Sequence, residues 1–332
     1  MGRPAVKKLE NSQASAAAVF LILFLPLSLF PSEREAEARG KSPARVFSLS
    51  IRDAPRAPAT PAPSAASTPA PPGPPAPEKP TFGTLSRDFL RDAGQIWSYP
   101  AHIRTGDILP LAGLAAVTGF LIAEDEVIYG AFRDYRDEHA WVGDVSPVIT
   151  TMGSYGAWGT VGVFLCVGLM ARDDKAVETA ALATSAMLQS GLVVQAMKLL
   201  SGRQRPSWDS GVDHWAGPAG IFKRFEPGLY ERYDSFPSGH TVTAFSLATV
   251  LAMQYRDTVW VPVLSYTVAT GVGLSRLTED KHWLSDVLVG GVIGHVIGRL
   301  VVRNHRSRHH LTPTVGVAHG KLTFAVIFSS QQ

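Results

Sequence analysis

A chain of 332 residues has room for one large domain or two small ones, and 18% charged against 45% hydrophobic residues favours helices buried in a membrane or a core over disorder. The net charge of +3 is slight and the basic residues are dispersed or gathered near the C-terminus, so nucleic acid is not an expected partner. Cys166 is the lone cysteine, which excludes an intramolecular disulfide and a thiolate metal cluster; within the apolar run Val161 to Met170 it is expected to be a small core residue.

Residues 1–38 open with Arg3, Lys7 and Lys8, followed by an uncharged run from Asn11 to Ser32 whose apolar heart is Ala16 to Phe30. This is the layout of a secretory signal with Ala36-Glu37-Ala38 as a small-residue cleavage site, or of an uncleaved N-terminal anchor, and both imply export. Residues 39–81 form a disordered linker: eleven prolines between Ala54 and Pro80, interleaved with Ala, Ser and Thr, favour extended backbone and build no core. In the region 82–105, Leu85, Phe89, Ala93 and Ile96/Trp97 recur at helical spacing, with Arg87, Asp88, Arg91 and Asp92 opposite. Such an amphipathic helix suits either a membrane interface or the cap of a core.

The region 106–303 holds six uncharged or nearly uncharged stretches: Ile108–Ala123, Val145–Ala171, Thr179–Met197, Thr241–Tyr255, Thr258–Ser275 and Val287–Gly298. They predict an all-α, six-helix bundle. A bilayer span takes about 20 apolar residues, and of the six only the second is comfortably long. The tail, 304–332, starts with a basic segment and ends in Leu322-Thr323-Phe324-Ala325-Val326-Ile327-Phe328, rich in β-formers, where a short strand is expected.

Arg303, Arg306 and Arg308 follow the sixth stretch, while Arg172, Lys175 and Arg256 lie in the short turns after the second and fourth. By the positive-inside rule these mark the cytoplasmic side and leave Lys198, His240, Ser275 and Asp286 together on the extracytoplasmic face. Six spans with a cytoplasmic C-terminus would put the residues before Ile108 in the cytoplasm, whereas a cleaved signal puts them outside. The two are reconciled if the N-terminal run is itself a span, or if the bundle is soluble and wholly exported.

Three blocks fall at the ends of these helices: Lys198-Leu-Leu-Ser-Gly-Arg-Gln-Arg205-Pro206 closes the third, Phe236-Pro237-Ser238-Gly239-His240 opens the fourth, and Ser275-Arg276 leads to His282 and Asp286 at the start of the sixth. Together they supply cations, two histidines, a carboxylate and a Ser-Gly turn, which is the inventory of an oxyanion site. Lys198, Arg205 and Arg276 suit the non-bridging oxygens of a phosphate. Free N–H groups of a helix opening after Pro237, with Gly239 permitting close approach, suit the same anion, so no metal is needed. His282 and Asp286 stand at i and i+4, within reach on a helix, so the carboxylate would fix the imidazole tautomer and stabilise the cation formed on attack. His240 would then donate a proton to the leaving oxygen, a role suited to a histidine near its ordinary pKa.

The pattern Lys-x6-Arg-Pro, Pro-Ser-Gly-His, Ser-Arg-x5-His-x3-Asp resembles the tripartite signature of the type 2 phosphatidic acid phosphatase and vanadium haloperoxidase superfamily, with all eleven fixed positions present. The resemblance runs from Gly106 to Val302 and covers the six-helix count. It implies that Lys198, Arg205, Ser238, Gly239 and Arg276 bind phosphate, that His282 forms a phosphohistidine, that His240 protonates the leaving group, and that Asp286 orients His282. It also implies a phosphoric ester hydrolase acting without a cofactor, on a lipid phosphate such as phosphatidic acid or a polyprenyl diphosphate. A secreted soluble acid phosphatase, a vanadium haloperoxidase whose vanadate takes the same oxyanion site, and a silent phospholipid-binding scaffold are the alternatives. Nothing in these residues fixes the oligomeric state.

Other polar residues are given plainer readings: His295 as a hydrogen-bonded core histidine, and Arg203, Asp280 and Lys281 as solvated loop charges, with substrate binding the alternative for Arg203 and a place at the substrate entrance the alternative for the last two. Trp208, Trp215, Phe222 and Tyr230 occupy the long Ser207–Ser235 loop, as packing, as a lid or as an acyl-chain contact surface.

Overall fold

The period of Leu85, Phe89, Ala93 and Ile96 produces helix α1, Phe82–Ser98. The computed structural model describes residues 82–208, 214–224, 226–228, 231–309, 311–318 and 321–328. The signal or anchor at 1–38, the linker at 39–81 and Tyr230 lie outside them. Helix α1 rests on the rest of the bundle. Asn304 Nδ2 donates to its buried Asp92 at 2.8 Å, Gln189 Nε2 donates to Phe89 O at 2.7 Å, and Ile96 joins the main apolar cluster, while Leu90 and Trp97 stay exposed.

Helix α2, Thr105–Glu138, is much longer than the stretch that predicts it, at about 50 Å for its length. Glu124, Asp125 and Glu126 do not stop it, because Leu121, Asp125 and Ile128 share one inward face and the other two carboxylates point away. The expected single helix Val145–Ala171 is instead two, α3 (Ala140–Thr151) and α4 (Tyr155–Ala171), bent by 43°. The cause is Gly153: a Cβ there would meet Val272 Cγ1 at 2.5 Å and His240 O at 2.9 Å, so the turn is pressed against two other helices where only glycine fits. Helix α4 is apolar on every face, and periodicity therefore could not orient it. Only Ala157, Val161 and Gly168 of it are buried; Cys166 is exposed, not the core residue expected.

Helix α5, Asp174–Ser201, starts at Asp173, whose carboxylate accepts from the N–H groups of Lys175 (3.0 Å) and Ala176 (3.2 Å), and stops at Gly202 with φ of 53°. A short α6, Gly220–Arg224, lies in the following loop. Helix α7, Gly239–Gln254, is the central element, flanked by α8, Trp260–Thr278, and α9, Leu284–His309. Val250, Leu247, Ala183, Ala186, Val301 and Val302 form its main core. Gly290, Gly294 and Gly298 of α9 lie one turn apart and face Ser238, Val242 and Ser246 of α7, letting the two backbones come close.

Three helices, α2, α5 and α9, are long and apolar enough to cross a membrane, and α3 with α4 makes a fourth if the bent pair is one span. Helices α7 and α8 are not among them. The helical unit ends at Asn304; a separate unit contains the expected β-former tail, which makes two antiparallel strands, β1 (Leu311–Ala318) and β2 (Lys321–Phe328), with Leu311 opposite Phe328. The described chain is thus a helical bundle with one terminal hairpin in place of the single strand.

Candidate active site

The last turn of α5 carries Lys198, and the left-handed Gly202 turns the chain so that Arg205 follows back toward it. One buried carboxylate, Asp234, holds both: its Oδ2 lies 3.3 Å from Lys198 Nζ and its Oδ1 accepts from Arg205 Nε at 2.7 Å. Burial pushes the Asp234 carboxyl up, but Lys198 and Arg205 outweigh it and keep the group below its ordinary range. Arg276, in the last turn of α8, donates through Nη1 to Thr150 Oγ1 (2.9 Å) and Glu279 Oε2 (2.8 Å). Its buried Nε has no protein partner among the described residues. A buried N–H without an acceptor is costly, and an anion in the pocket would supply one.

After Arg276 the chain turns sharply through Asp280, at φ of 57°, and the N–H groups of Lys281 and His282 both donate to Arg276 O. Arg136, at the end of α2, clamps this turn by donating to Thr278 O at 3.1 Å and pairing with the Asp280 carboxylate. His282 is thereby fixed beneath the surface, 2% exposed, with Nδ1 at 3.5 Å from Asp286 Oδ2. Asp286 Oδ2 also accepts from Ser235 Oγ (2.5 Å) and from the N–H of Trp283 (3.0 Å). With Nδ1 facing the carboxylate, Nε2 keeps the lone pair that can attack. The second block is tied to the third where Ser238 N–H donates to Asp286 O at 3.1 Å. Ser238 Oγ accepts from Thr241 Oγ1 at 2.8 Å, and a Cβ on Gly239 would meet no atom within 4 Å, so the space before the first turn of α7 is open.

The electrostatics place the two histidines in one cationic field. Burial, then the charges of Arg205 and Lys198, lower His282 to about 3 against the opposing pull of Asp286. Burial, then Arg276, Lys198 and Arg205, lower His240 to about 4, well under the ordinary value expected for it from sequence. Both rings are therefore neutral at pH 7 in the free protein. That suits a nucleophile at once, whereas His240 becomes an acid only when an anion offsets the three cations. Lys198 and Arg205 meet on Asp234, Ser238 and His282 meet on Asp286, and Arg276 and His240 are coupled to the same cations electrostatically; Gly239 opens the helix between them. Among the described residues no three His, Cys, Asp or Glu side chains converge as a metal site.

Sequence reasoning missed several of the groups that build the site. Arg203, read as a solvated loop charge, is 0% exposed: Nη1 donates to Asp286 Oδ1 at 2.7 Å and Nη2 to Asp125 Oδ2 at 2.8 Å, with the guanidinium over the rings of Trp215 and Trp283. Asp125, Asp234, Ser235, Thr150 and Glu279 were not singled out. The one signal for Asp125 is its place between Leu121 and Ile128, a carboxylate on the apolar face of a helix. Asp280 pairs with Arg136 instead of being free in the loop, and Lys281 lies 3.4 Å from Glu231. His295 is the hydrogen-bonded histidine expected, with Nδ1 2.9 Å from Tyr266 Oη and 3.3 Å from Thr249 Oγ1. Trp208, Trp215 and Phe222 are exposed.

Residues 179–309 match the model of the PAP2 superfamily. The match covers less than half of the chain. All three blocks fall within it, and helices α2 and α3, which supply Asp125, Arg136 and Thr150, precede it. A 68-residue segment is 46% identical to the lipid A 1-phosphatase of Porphyromonas gingivalis, covering 20% of this chain and 15% of that protein. Over 134 residues the chain is 30% identical to a "probable diacylglycerol pyrophosphate phosphatase 1" of Schizosaccharomyces pombe, covering 34% and 48% respectively. The chain thus spans about half, or less, of the length of these curated relatives. The crystal structure of Aquifex aeolicus LpxE aligns with 54% of this chain and 94% of its own at 19% identity, with a TM-score of 0.41. That of a transmembrane PAP2-type phosphatidylglycerolphosphate phosphatase from Bacillus subtilis aligns with 68% and 96% at 20% identity, also at 0.41.

Proposed function

We propose that this helical bundle hydrolyses a lipid phosphomonoester or diphosphate, without a metal, through a phosphohistidine on His282. The observation that carries the reading is the joint field of Lys198, Arg205 and Arg276 on two neutral histidines, one of them backed by a carboxylate. In the first step the three cations and the first turn of α7 take the non-bridging oxygens, and the anion raises the proton affinity of His240, which takes up a proton from solvent. The Nε2 lone pair of His282 attacks phosphorus, the P–O ester bond breaks, and His240 gives its proton to the departing alkoxide. Asp286 stabilises the cationic ring so formed. In the second step neutral His240 takes a proton from water, the hydroxide attacks phosphorus, the P–N bond breaks, and inorganic phosphate leaves.

A lipid substrate is supported by the names of the two curated relatives and by the apolar outer surfaces of α2, α4 and α8, where Leu109, Phe120, Leu169 and Trp260 are exposed. Such surfaces belong in a bilayer, so the protein is read as membrane-embedded through its candidate spans. The clustering of Arg172, Lys175 and Arg256 at the opposite ends of the helices supports an extracytoplasmic site.

The test is phosphate release in EDTA from phosphatidic acid, a lipid diphosphate, a lipid A phosphate and a soluble aryl phosphate, with wild type and His282→Ala. The expected result is turnover of at least one lipid that falls about a thousandfold or more in the variant. Undiminished turnover by His282→Ala would overturn the nucleophile, and turnover of the aryl phosphate alone would overturn the lipid assignment.

A further inference from the structure

Behind the two histidines lies a polar layer that touches no solvent and that the phosphate cradle does not use. Arg203, Asp125, Ser285 and Asp286 are each 0–1% exposed. They come from three elements: α2 gives Asp125 from mid-helix, the loop after α5 gives Arg203, and the first turn of α9 gives Ser285 and Asp286. Arg203 donates to both carboxylates, and its Nη1 also donates to Ser285 Oγ at 2.6 Å. Asp125 accepts the Ser285 N–H at 3.1 Å and the Ser285 hydroxyl as well. A carboxylate from another helix therefore caps the start of α9, where N–H groups have no partner of their own.

We propose that Arg203 and Asp125 are positioning residues: a buried carboxylate–guanidinium–carboxylate bridge that ties α2 to Asp286 and holds Asp286 against His282. The inference rests on the reading of His282 as nucleophile. Asp286 spends Oδ1 on Arg203 and turns Oδ2 to the imidazole, so the guanidinium sets which oxygen faces the ring. Charge counting gives Asp125 its part. Arg203 with Asp286 alone would be a neutral pair, poor at stabilising an imidazolium. With Asp125 present the three groups carry one net negative charge, which matches the positive charge His282 gains when it bonds to phosphorus. Arg203 is roofed by Trp215 and Trp283 and fully enclosed, so it has no path to the substrate.

The bridge is tested by steady-state kinetics in detergent on phosphatidic acid, or on whichever lipid of the panel is turned over, with vanadate as inhibitor to report the cradle. Asp125→Asn keeps the shape and is expected to lower kcat by about tenfold or more, as loss of an outer orienting partner does. KM and the vanadate inhibition constant should stay within about twofold, and the same change added to Asp286→Asn should cost under about twofold more. Ser285→Ala, which removes only the shared hydroxyl, should show the same pattern at smaller size and serves where Asp125→Asn does not fold. A rise in KM or in the vanadate constant matching the activity loss, a full loss in the Asp286→Asn background, or wild-type kcat in both variants would overturn the bridge. If His282→Ala itself retained turnover, the nucleophile reading would have failed instead.

Discussion

The free site is held by carboxylates that a phosphate must work against: Asp234 pairs with Lys198 and Arg205, and Glu279 pairs with Arg276. These pairs keep three cations from repelling one another across a buried pocket, while burial and the cations themselves leave His240 and His282 uncharged. The depressed histidines have a consequence for stability. In the unfolded chain each takes a proton near 6.5, whereas in the fold they resist it down to about 4 for His240 and about 3 for His282. Between those values the unfolded chain binds more protons, so stability falls as pH falls. Thermal unfolding in detergent is expected to show a declining melting temperature from pH 6.5 to about 4, less steep in His282→Asn; a flat profile would mean that the rings are not buried neutral. At this scale the sequence showed the eight groups of the tripartite pattern, because chemistry fixes their types and spacing. It could not show Arg203, whose loop position looks solvent-facing until Trp215 and Trp283 close over it.

Helices α7 and α9 carry His240 and Asp286 in their first turns, so the distance between their axes sets the site. Gly294 meets the backbone of α7 directly: a Cβ would sit 2.5 Å from Val242 O and 2.9 Å from the Ser246 N–H. Gly291, on the next face, would place a Cβ 3.5 Å from the Phe245 ring, an ordinary contact. Gly294→Ala should therefore cost about 1–3 kcal/mol of stability and reduce turnover, while Gly291→Ala should be nearly neutral in both. Melting temperature and activity of the two variants check this, and equal behaviour would show that the helices have slack. The six apolar stretches gave the existence of these helices because uncharged runs between charged turns admit little else. They did not give the break at Gly153, since a glycine in an apolar run carries no mark of the neighbour that will press on it. Nor did they give the extension of α2 past Glu124, whose reason is a long-range partner, Arg203, 78 residues beyond Asp125.

Across the whole molecule, the site exists only because several helices end at one level. The three blocks are separated by long loops and spans, and they meet through the contacts of Ser238 with Asp286, Ser235 with Asp286 and Asp234 with Lys198 and Arg205. Helices α2 and α3, ahead of the matched PAP2 region, complete it with Asp125, Arg136 and Thr150. The sequence pattern pointed to an oxyanion site, but not to the helices ahead of it that brace Asp286 beside His282, because a brace needs only to be buried and paired and leaves no spacing to read. The central claim is that this assembly makes His282 the group that carries phosphoryl. The most direct measurement is acid-free quench of the enzyme with phosphorus-labelled lipid substrate, followed by digestion and location of the label. The account predicts an acid-labile, alkali-stable phosphoryl group on His282 that is absent from His282→Ala and accumulates when His240 is replaced by alanine during reaction with an activated aryl phosphate. A label on any other residue, or turnover with no enzyme-bound phosphoryl under these conditions, would contradict it.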